Sequence, residues 1–240
     1  ASGWVHVDCL AEMAARNAVM IVEGGEKLCR WACCATCHQS FTLSGALAFQ
    51  MARRQWRHYR DAPESELKNR TFRNVAIALR NHEDDAANEL HEAAMRGLAP
   101  DDSRVLLAEI ARAASVTATS AEQALQIVTR LQPRIARCND LDTRLLHNAV
   151  VAHALGQLNR PQEGLAFAAE AVEISTVLFG PEAPSTLGAK RDRAALLIRV
   201  GRVDEGKAML VQVLAIQTRV LGADHEHTRG TKQIMDELFE

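Results

Sequence analysis

A regular repeat in the last third of the chain constrains the fold more strongly than any other sequence feature. Three landmarks recur at one common spacing: RPQEG at 160–164 and RVDEG at 202–206, FGP at 179–181 and LGA at 221–223, and the threonines Thr186 and Thr228. Equal offsets at three separate landmarks indicate a structural unit that is copied along the chain.

Within each copy, apolar residues recur at the spacing of an amphipathic helix. In the last copy one stripe runs from Leu187 to Ile198 and ends near Gly201, and a second runs from Met209 to Val220 and ends at Gly222. Glycine just after a periodic run is a usual helix stop, because it adopts the left-handed conformation at little cost. Each unit is therefore predicted to be a helical hairpin. A single hairpin cannot bury both faces, so we expect neighbouring units to stack.

Weaker copies extend the period upstream, around residues 85–86 and 123–124. We predict an all-α helical-hairpin repeat solenoid over residues 63–240. Its four units are expected at 64–102, 103–140, 141–183 and 184–224, and a last helix over 225–240 should cap the exposed apolar face. The composition agrees, since 48% of residues are hydrophobic but only 4% are aromatic, and the runs typical of strands are missing.

The repeated residues resemble the tetratricopeptide repeat, in the longer 42-residue form of kinesin light chain, over about 160 residues. The sequence at 220–228, VLGADHEHT, is similar to the loop between repeats of that subtype, and 178–186, LFGPEAPST, is its preceding copy. Two pairs match the small positions where paired helices touch: Ala152 with Gly164, and Ala194 with Gly206. The resemblance implies a protein-binding array with no catalytic site of its own.

The resemblance also implies that a peptide binds along a concave face lined by the first helix of each unit. Matching positions one by one gives six candidate groove residues: Asn74, His153, Gln157, Arg191, Asp192 and Arg199. The family's frequent groove asparagine is matched only by Asn74, so the family's ligands do not transfer directly. The alternative for each candidate is ordinary solvated helix surface.

A different composition marks the N-terminal region, which holds five of the six cysteines and all three tryptophans. His6 and Cys9 form a His-x2-Cys pair, and Cys34 and Cys37 form a Cys-x2-Cys pair 24 residues later. Such spacing lets a tight turn present two ligands to one tetrahedral zinc ion. A helix is expected over residues 10–22, ending at the Gly24-Gly25 pair. Buried cysteines without metal are the alternative, whereas a reducing compartment argues against disulfides.

The N-terminal pattern resembles the second half of a cross-braced zinc finger of the RING-variant or PHD type. We therefore predict a partial finger over 1–42, a connector helix over 43–62, and upstream residues of a larger protein that supply the missing ligands. Without such upstream residues, His6, Cys9, Cys34 and Cys37 could all bind the same zinc ion. The resemblance implies an alternative function, a RING-type E3 ubiquitin ligase component that engages a ubiquitin-conjugating enzyme while its repeats recruit substrate. Met13 replaces the usual tryptophan and residues 35–36 contain no proline, which weakens that reading. A PHD-like chromatin reader is a third hypothesis.

Several other function classes are disfavoured by charge and hydropathy. A formal net charge of −2 argues against nucleic acid as the main partner. No apolar run approaches the roughly 20 residues that span a bilayer, and no secretion signal is recognisable, so a cytoplasmic or nuclear protein is expected. The basic and aromatic segment 53–60 is interpreted as part of an amphipathic connector, because Leu47, Met51 and Gln55 share one helical face. His225 and His227 are interpreted as residues of a helix start.

The zinc prediction can be tested by elemental analysis of the purified protein. We expect about one zinc ion per chain, held by His6, Cys9, Cys34 and Cys37. Cys34→Ser and Cys37→Ser should each remove it, whereas Cys138→Ser should leave it in place. Protein that binds no zinc would leave a repeat scaffold alone.

Overall fold

The fold is described from a computed structural model that covers residues 20–23, 26–29, 45–59, 61, 92, 95–96 and 98–239. Two short strands come first, β1 (Met20–Glu23) and β2 (Glu26–Cys29), followed by helix α1 (Gly45–Tyr59). Seven helices make up nearly all of the described chain beyond residue 98: α2 (Ser103–Val116), α3 (Ala121–Ile135), α4 (Leu141–Gln157), α5 (Pro161–Phe179), α6 (Pro184–Arg199), α7 (Val203–Val220) and α8 (Glu226–Phe239).

These seven helices form a stack of antiparallel hairpins, α2–α3, α4–α5 and α6–α7, with α8 packed on the last one. Each first helix of a hairpin contacts its own partner, the preceding second helix and the preceding first helix, as α4 does with α5, α3 and α2. A repeating neighbour pattern of this kind defines a solenoid. The predicted helical-repeat architecture is therefore confirmed for the chain from residue 103 onward. Most of the predicted first unit, 64–102, lies outside the described residues.

The region before the repeats contains a short β-hairpin, and the all-α prediction holds for the described repeats from residue 103 onward. Strand β1 pairs antiparallel with β2, in a register that places Met20 opposite Cys29 and Glu23 opposite Glu26. The helix predicted over 10–22 is wrong at residues 20–22; residues 10–19 lie outside the described chain. The sequence between the strands is Gly24-Gly25, and Gly-Gly is one of the sequences that two-residue hairpin loops prefer. The β-branched Ile21 and Val22 also favour a strand.

Helix α1 lies within the segment predicted to be a connector helix. Met51 and Gln55, four residues apart, are both fully buried, as the amphipathic interpretation of this segment requires. The division of the chain into domains stays a prediction. No helix in the described residues is both long enough and apolar enough to cross a bilayer.

The turn inside each hairpin has the same geometry in the last two units. Asn159 and Gly201 occupy the same position in consecutive units, and both have positive φ, 56° and 86°. Directly after each of them an N–H group closes the helix end: the N–H of Arg160 donates to the carbonyl of Leu155 at 2.9 Å, and the N–H of Arg202 makes the equivalent bond at 2.9 Å. This pairing of a left-handed residue with a bond back to the last turn satisfies carbonyls that a helix end would leave free.

Paired helices approach most closely at two glycines. A Cβ atom placed on Gly164 would lie 3.2 Å from the carbonyl oxygen of Ala152. A Cβ atom on Gly206 would lie 2.8 Å from the carbonyl oxygen of Ala194 and 2.5 Å from Cγ1 of Ile198. A Cβ atom at Gly206 would force its neighbours to shift, whereas one at Gly164 would be tight but closer to ordinary contact. The prediction that the two small pairs mark helix contacts is thus confirmed.

The core runs continuously between hairpins. One buried apolar cluster joins three helices, α2, α3 and α4, through Leu106, Ile110, Ala113, Val128, Leu131, Ile135, Val150, Val151 and Leu155. A second cluster joins α4, α5 and α6 through Ala152, Ala168 and Leu196. Because α4 contributes to both clusters, the hairpins share one core.

The glycine crossing gives a direct stability prediction. Gly206→Ala should destabilise the fold by about 1–3 kcal/mol, because the added methyl group overlaps the backbone of α6. The matched control is Gly188→Ala within α6, where a Cβ atom would meet nothing within 4 Å. That substitution should stabilise by up to about 1 kcal/mol through helix propensity. Urea unfolding of both variants tests this; a Gly206→Ala variant as stable as wild type would contradict the close crossing.

Candidate protein-binding groove

The first helices α2, α4, α6 and α8 contact each other in sequence, so their solvent-facing residues lie along one surface of the stack. One close junction between α4 and α6 is at Gly156, where a Cβ atom would lie 3.0 Å from Cδ2 of Leu196. At the same point Nη1 of Arg199 donates to the carbonyl oxygen of Gly156 at 2.5 Å. This hydrogen bond crosses between repeat units and ties the C-terminal ends of the two helices together.

Helix α4 is buried on most of its circumference and leaves one line of exposed residues. Between residues 147 and 157 only Ala149, His153 and Gln157 are exposed, and their spacing of four places them along one face. Nε2 of Gln157 lies 3.1 Å from Nε2 of His153. Since an amide nitrogen is only a donor, the imidazole nitrogen accepts this bond. His153 and Gln157 therefore present polar groups to solvent on a helix whose other sides are buried in the core.

Helix α6 contributes the charged part of the same surface. Nη2 and Nε of Arg191 donate to Oδ1 of Asp192 at 3.0 and 3.1 Å. A pair this exposed contributes little to stability, because solvent screens it. Arg199 is also exposed. Its bond to Gly156 uses one of five N–H donors, at a helix end where the carbonyls attract a cation.

Five of the six predicted groove residues are thus described, and they lie on the adjacent first helices α4 and α6. His153, Gln157, Asp192 and Arg199 are exposed, whereas Arg191 is half-buried. Asn74 lies outside the described residues. Their role in binding a partner stays a prediction.

The predicted zinc ligands His6, Cys9, Cys34 and Cys37 also lie outside the described residues, and zinc binding stays a prediction. Within the described chain, no three His, Cys, Asp or Glu side chains come together as a metal site. The histidines at 225 and 227 serve a helix start, as predicted: Nδ1 of His225 accepts from the backbone N–H of His227 at 3.2 Å. Their rings stack with centroids 5.3 Å apart.

One unit of the chain is similar to a known repeat family. The tetratricopeptide-repeat family model matches residues 186–227, which span α6, α7 and the loop into α8. No curated protein matches the chain. A crystal structure of nearly identical TPR-like repeats, attributed to a kinesin light chain of Podosopora anserina, is similar at 18% identity and a TM-score of 0.46, covering 90% of this chain and 98% of that one.

The sequence analysis missed a buried polar pair on the core side of α4, His147 and Asn148. His147 is 3% exposed; its Nε2 lies 3.3 Å from the carbonyl oxygen of Val128 in α3, and its Nδ1 lies 3.2 Å from Oδ1 of Asn148. The ring also meets Phe167 of α5 edge-on, with centroids 6.3 Å apart. The pair therefore links α4 to the helices on either side. The available sequence signal is the nearly unbroken apolar run after it, which marks a helix buried on most sides.

Burial lowers the pKa of His147, because the charged ring would lose its hydration. The contacts with Asn148 and Val128, and the nearby Glu170 carboxylate, act in the opposite direction but are smaller effects. Glu170 is itself paired with Arg144 at 2.5 Å. Burial therefore favours the neutral form of the His147 ring, which has one N–H to donate to either of its two oxygen neighbours.

This lowered pKa predicts a loss of stability in mild acid. Above the ordinary histidine pKa near 6.5 both states hold a neutral ring; as pH falls below it, the unfolded chain binds the proton first and unfolding is favoured. The free energy of unfolding should fall by up to about 1.4 kcal/mol per pH unit from this group. His147→Gln should flatten that slope in urea unfolding between pH 7.5 and 5. The exposed control His153→Gln should keep the wild-type slope, and equal slopes for wild type and His147→Gln would contradict the assignment.

Proposed function

We propose that the chain is a protein-interaction scaffold that holds an extended segment of a partner protein along the first-helix surface of α4 and α6. Tetratricopeptide repeats are in general protein-interaction modules, and residues 186–227 match that family. The observation that carries the proposal is the junction at Gly156. There the exposed side chain of Arg199 is fixed beside the exposed line of α4 by a bond between repeat units.

The rigidity of this surface supports a binding role. Helices α4 and α6 share the core cluster of Ala152, Ala168 and Leu196, so their relative position is set before a partner arrives. A preformed surface avoids much of the entropy cost of ordering on binding. The side chains of His153 and Gln157 need only exchange their mutual hydrogen bond for bonds to the partner.

The chemistry of the surface favours a partner segment that carries carboxylate groups. Arg199 keeps donors beyond the one that Gly156 accepts, and an arginine fork matches a carboxylate in geometry. Arg191 can exchange its bonds to Asp192 for bonds to the partner, because the pair is exposed and weak. Backbone groups of an extended segment would be met by His153 and Gln157.

We further propose that the N-terminal module binds zinc through His6, Cys9, Cys34 and Cys37. Its support is the ligand spacing in the sequence. The scaffold proposal does not depend on this module, because the surface of α4 and α6 is built from the repeats.

The groove proposal is tested with peptides selected from a random display library on the purified protein, with fluorescence polarisation as the measure of affinity. Arg199→Ala should weaken binding by at least about tenfold, as loss of an interface arginine commonly does. His153→Ala and Gln157→Ala should weaken it less.

The matched controls are Gln126→Ala on α3 and Gln212→Ala on α7, two exposed positions on second helices. They should leave peptide affinity unchanged. Thermal unfolding of each variant checks that Arg199→Ala has not disturbed the stack through its bond to Gly156. Peptides whose affinity depends on Gln126 or Gln212, and not on Arg199, would place the binding surface elsewhere.

A further inference from the structure

The interface between α7 and α8 is the copy, one repeat later, of the interface between α5 and α6. Both interfaces join a second helix to the first helix that follows it. The residues correspond pairwise: Gly180 with Gly222, Thr186 with Thr228, Ser175 with Gln217, and Ala189 with Thr231. Gly180 and Gly222 have the same φ, 94°, so the two connecting loops begin alike. The α5–α6 interface can therefore be compared with the α7–α8 interface, residue by residue, to judge how firmly α8 is held.

In the upstream copy the buried polar side chains are hydrogen-bonded. Oγ1 of Thr186 donates to the carbonyl oxygen of Gly180 at 2.8 Å, and Oγ of Ser175 donates to the carbonyl oxygen of Val172 at 3.0 Å. Both side chains are fully buried. Their polar atoms therefore lose water but gain protein partners, which is the usual state of buried hydroxyl groups.

In the downstream copy three polar atoms are buried with no hydrogen-bond partner in the described protein. They are Oε1 of Gln217, Oγ1 of Thr228 and Oγ1 of Thr231, on side chains that are no more than 3% exposed. Thr228 does not make the bond that its counterpart Thr186 makes. Thr231 introduces a hydroxyl where the upstream copy has Ala189. A buried polar atom without a partner disfavours the closed state, because the same atom is hydrated when the interface opens.

The outer face of α8 is suited to solvent in either state. Its exposed residues are all polar among those described: Glu226, Arg229, Lys232, Gln233, Asp236 and Glu237. The loop before it begins at Gly222, where the positive φ suits a residue that moves between backbone conformations with little restriction.

We propose that α8 detaches reversibly from the α6–α7 hairpin as a unit while the preceding helices stay packed. Because α8 follows α6 in the row of first helices, its opening removes α8 from the proposed groove. That consequence rests on the proposed function. The detachment itself does not, and it is measured without any partner.

The test is amide hydrogen exchange by mass spectrometry on the whole protein, with two matched variants at equivalent positions. In wild type the amides of α8 should exchange at least tenfold faster than those of α6 and α7. Thr228→Val removes an unpartnered hydroxyl at nearly constant shape and should slow exchange of α8 by about tenfold. Thr186→Val removes a hydroxyl that is hydrogen-bonded and should speed exchange of α6.

The two substitutions are at equivalent repeat positions but should change the exchange rate in opposite directions. If valine simply stabilised or destabilised any helix, both would change it in the same direction. Helix α2, in the hairpin furthest along the described stack from both substitutions, is the internal reference for global stability. Exchange of α8 as slow as that of α7 would overturn the proposal, and so would a Thr228→Val variant with unchanged or faster exchange of α8. Peptide binding enters none of these outcomes, so failure of the proposed groove would leave them intact.

Discussion

The close crossing of paired helices at glycine is the contact on which the rest of the stack depends. At Gly206 the backbone of α7 meets the backbone of α6 at the carbonyl of Ala194, and Gly164 meets Ala152 in the same way one unit earlier. Contact at this distance fixes both the separation and the angle of a hairpin. With that angle set, Leu197 and Leu210 are fully buried. Each hairpin then presents a defined face to the next, and the solenoid grows from one crossing repeated.

Features that depend on local chemistry were predictable from the sequence, and features that depend on neighbouring units were not. The hairpins follow from apolar periodicity and from glycine stops, both of which act within a few residues. The β-ribbon at 20–29 was missed because Gly-Gly ends a helix and also turns a hairpin, and the apolar run Met20–Val22 is too short to distinguish the two. Whether such a segment forms a helix or a strand depends on whether another strand pairs with it. The spacing of apolar residues along the chain carries no information about that pairing.

The same division applies to the candidate groove. The position of His153 and Gln157 on α4 follows from the repeat phase, because exposure along a helix is set by its period. The bond from Arg199 to Gly156 joins two different repeat units and exists only because α4 and α6 approach closely. The apolar run after His147 indicates only that its helix is buried, since the contacts of the ring itself are made by Val128 on α3 and Phe167 on α5.

Departures from the period distinguish the junction of α4 with α6 from the junction of α6 with α8. Gly156 has Ile198 as its counterpart in the next unit, so the position that lacks a side chain in α4 carries a large one in α6. Gln217 and Thr231 replace the smaller Ser175 and Ala189 at the interface between α7 and α8. In a stack where each unit contacts only its neighbours, weakness at one junction does not spread to the next. The shared core of α4 and α6 is therefore independent of the α7–α8 interface, where three polar atoms are buried without a partner.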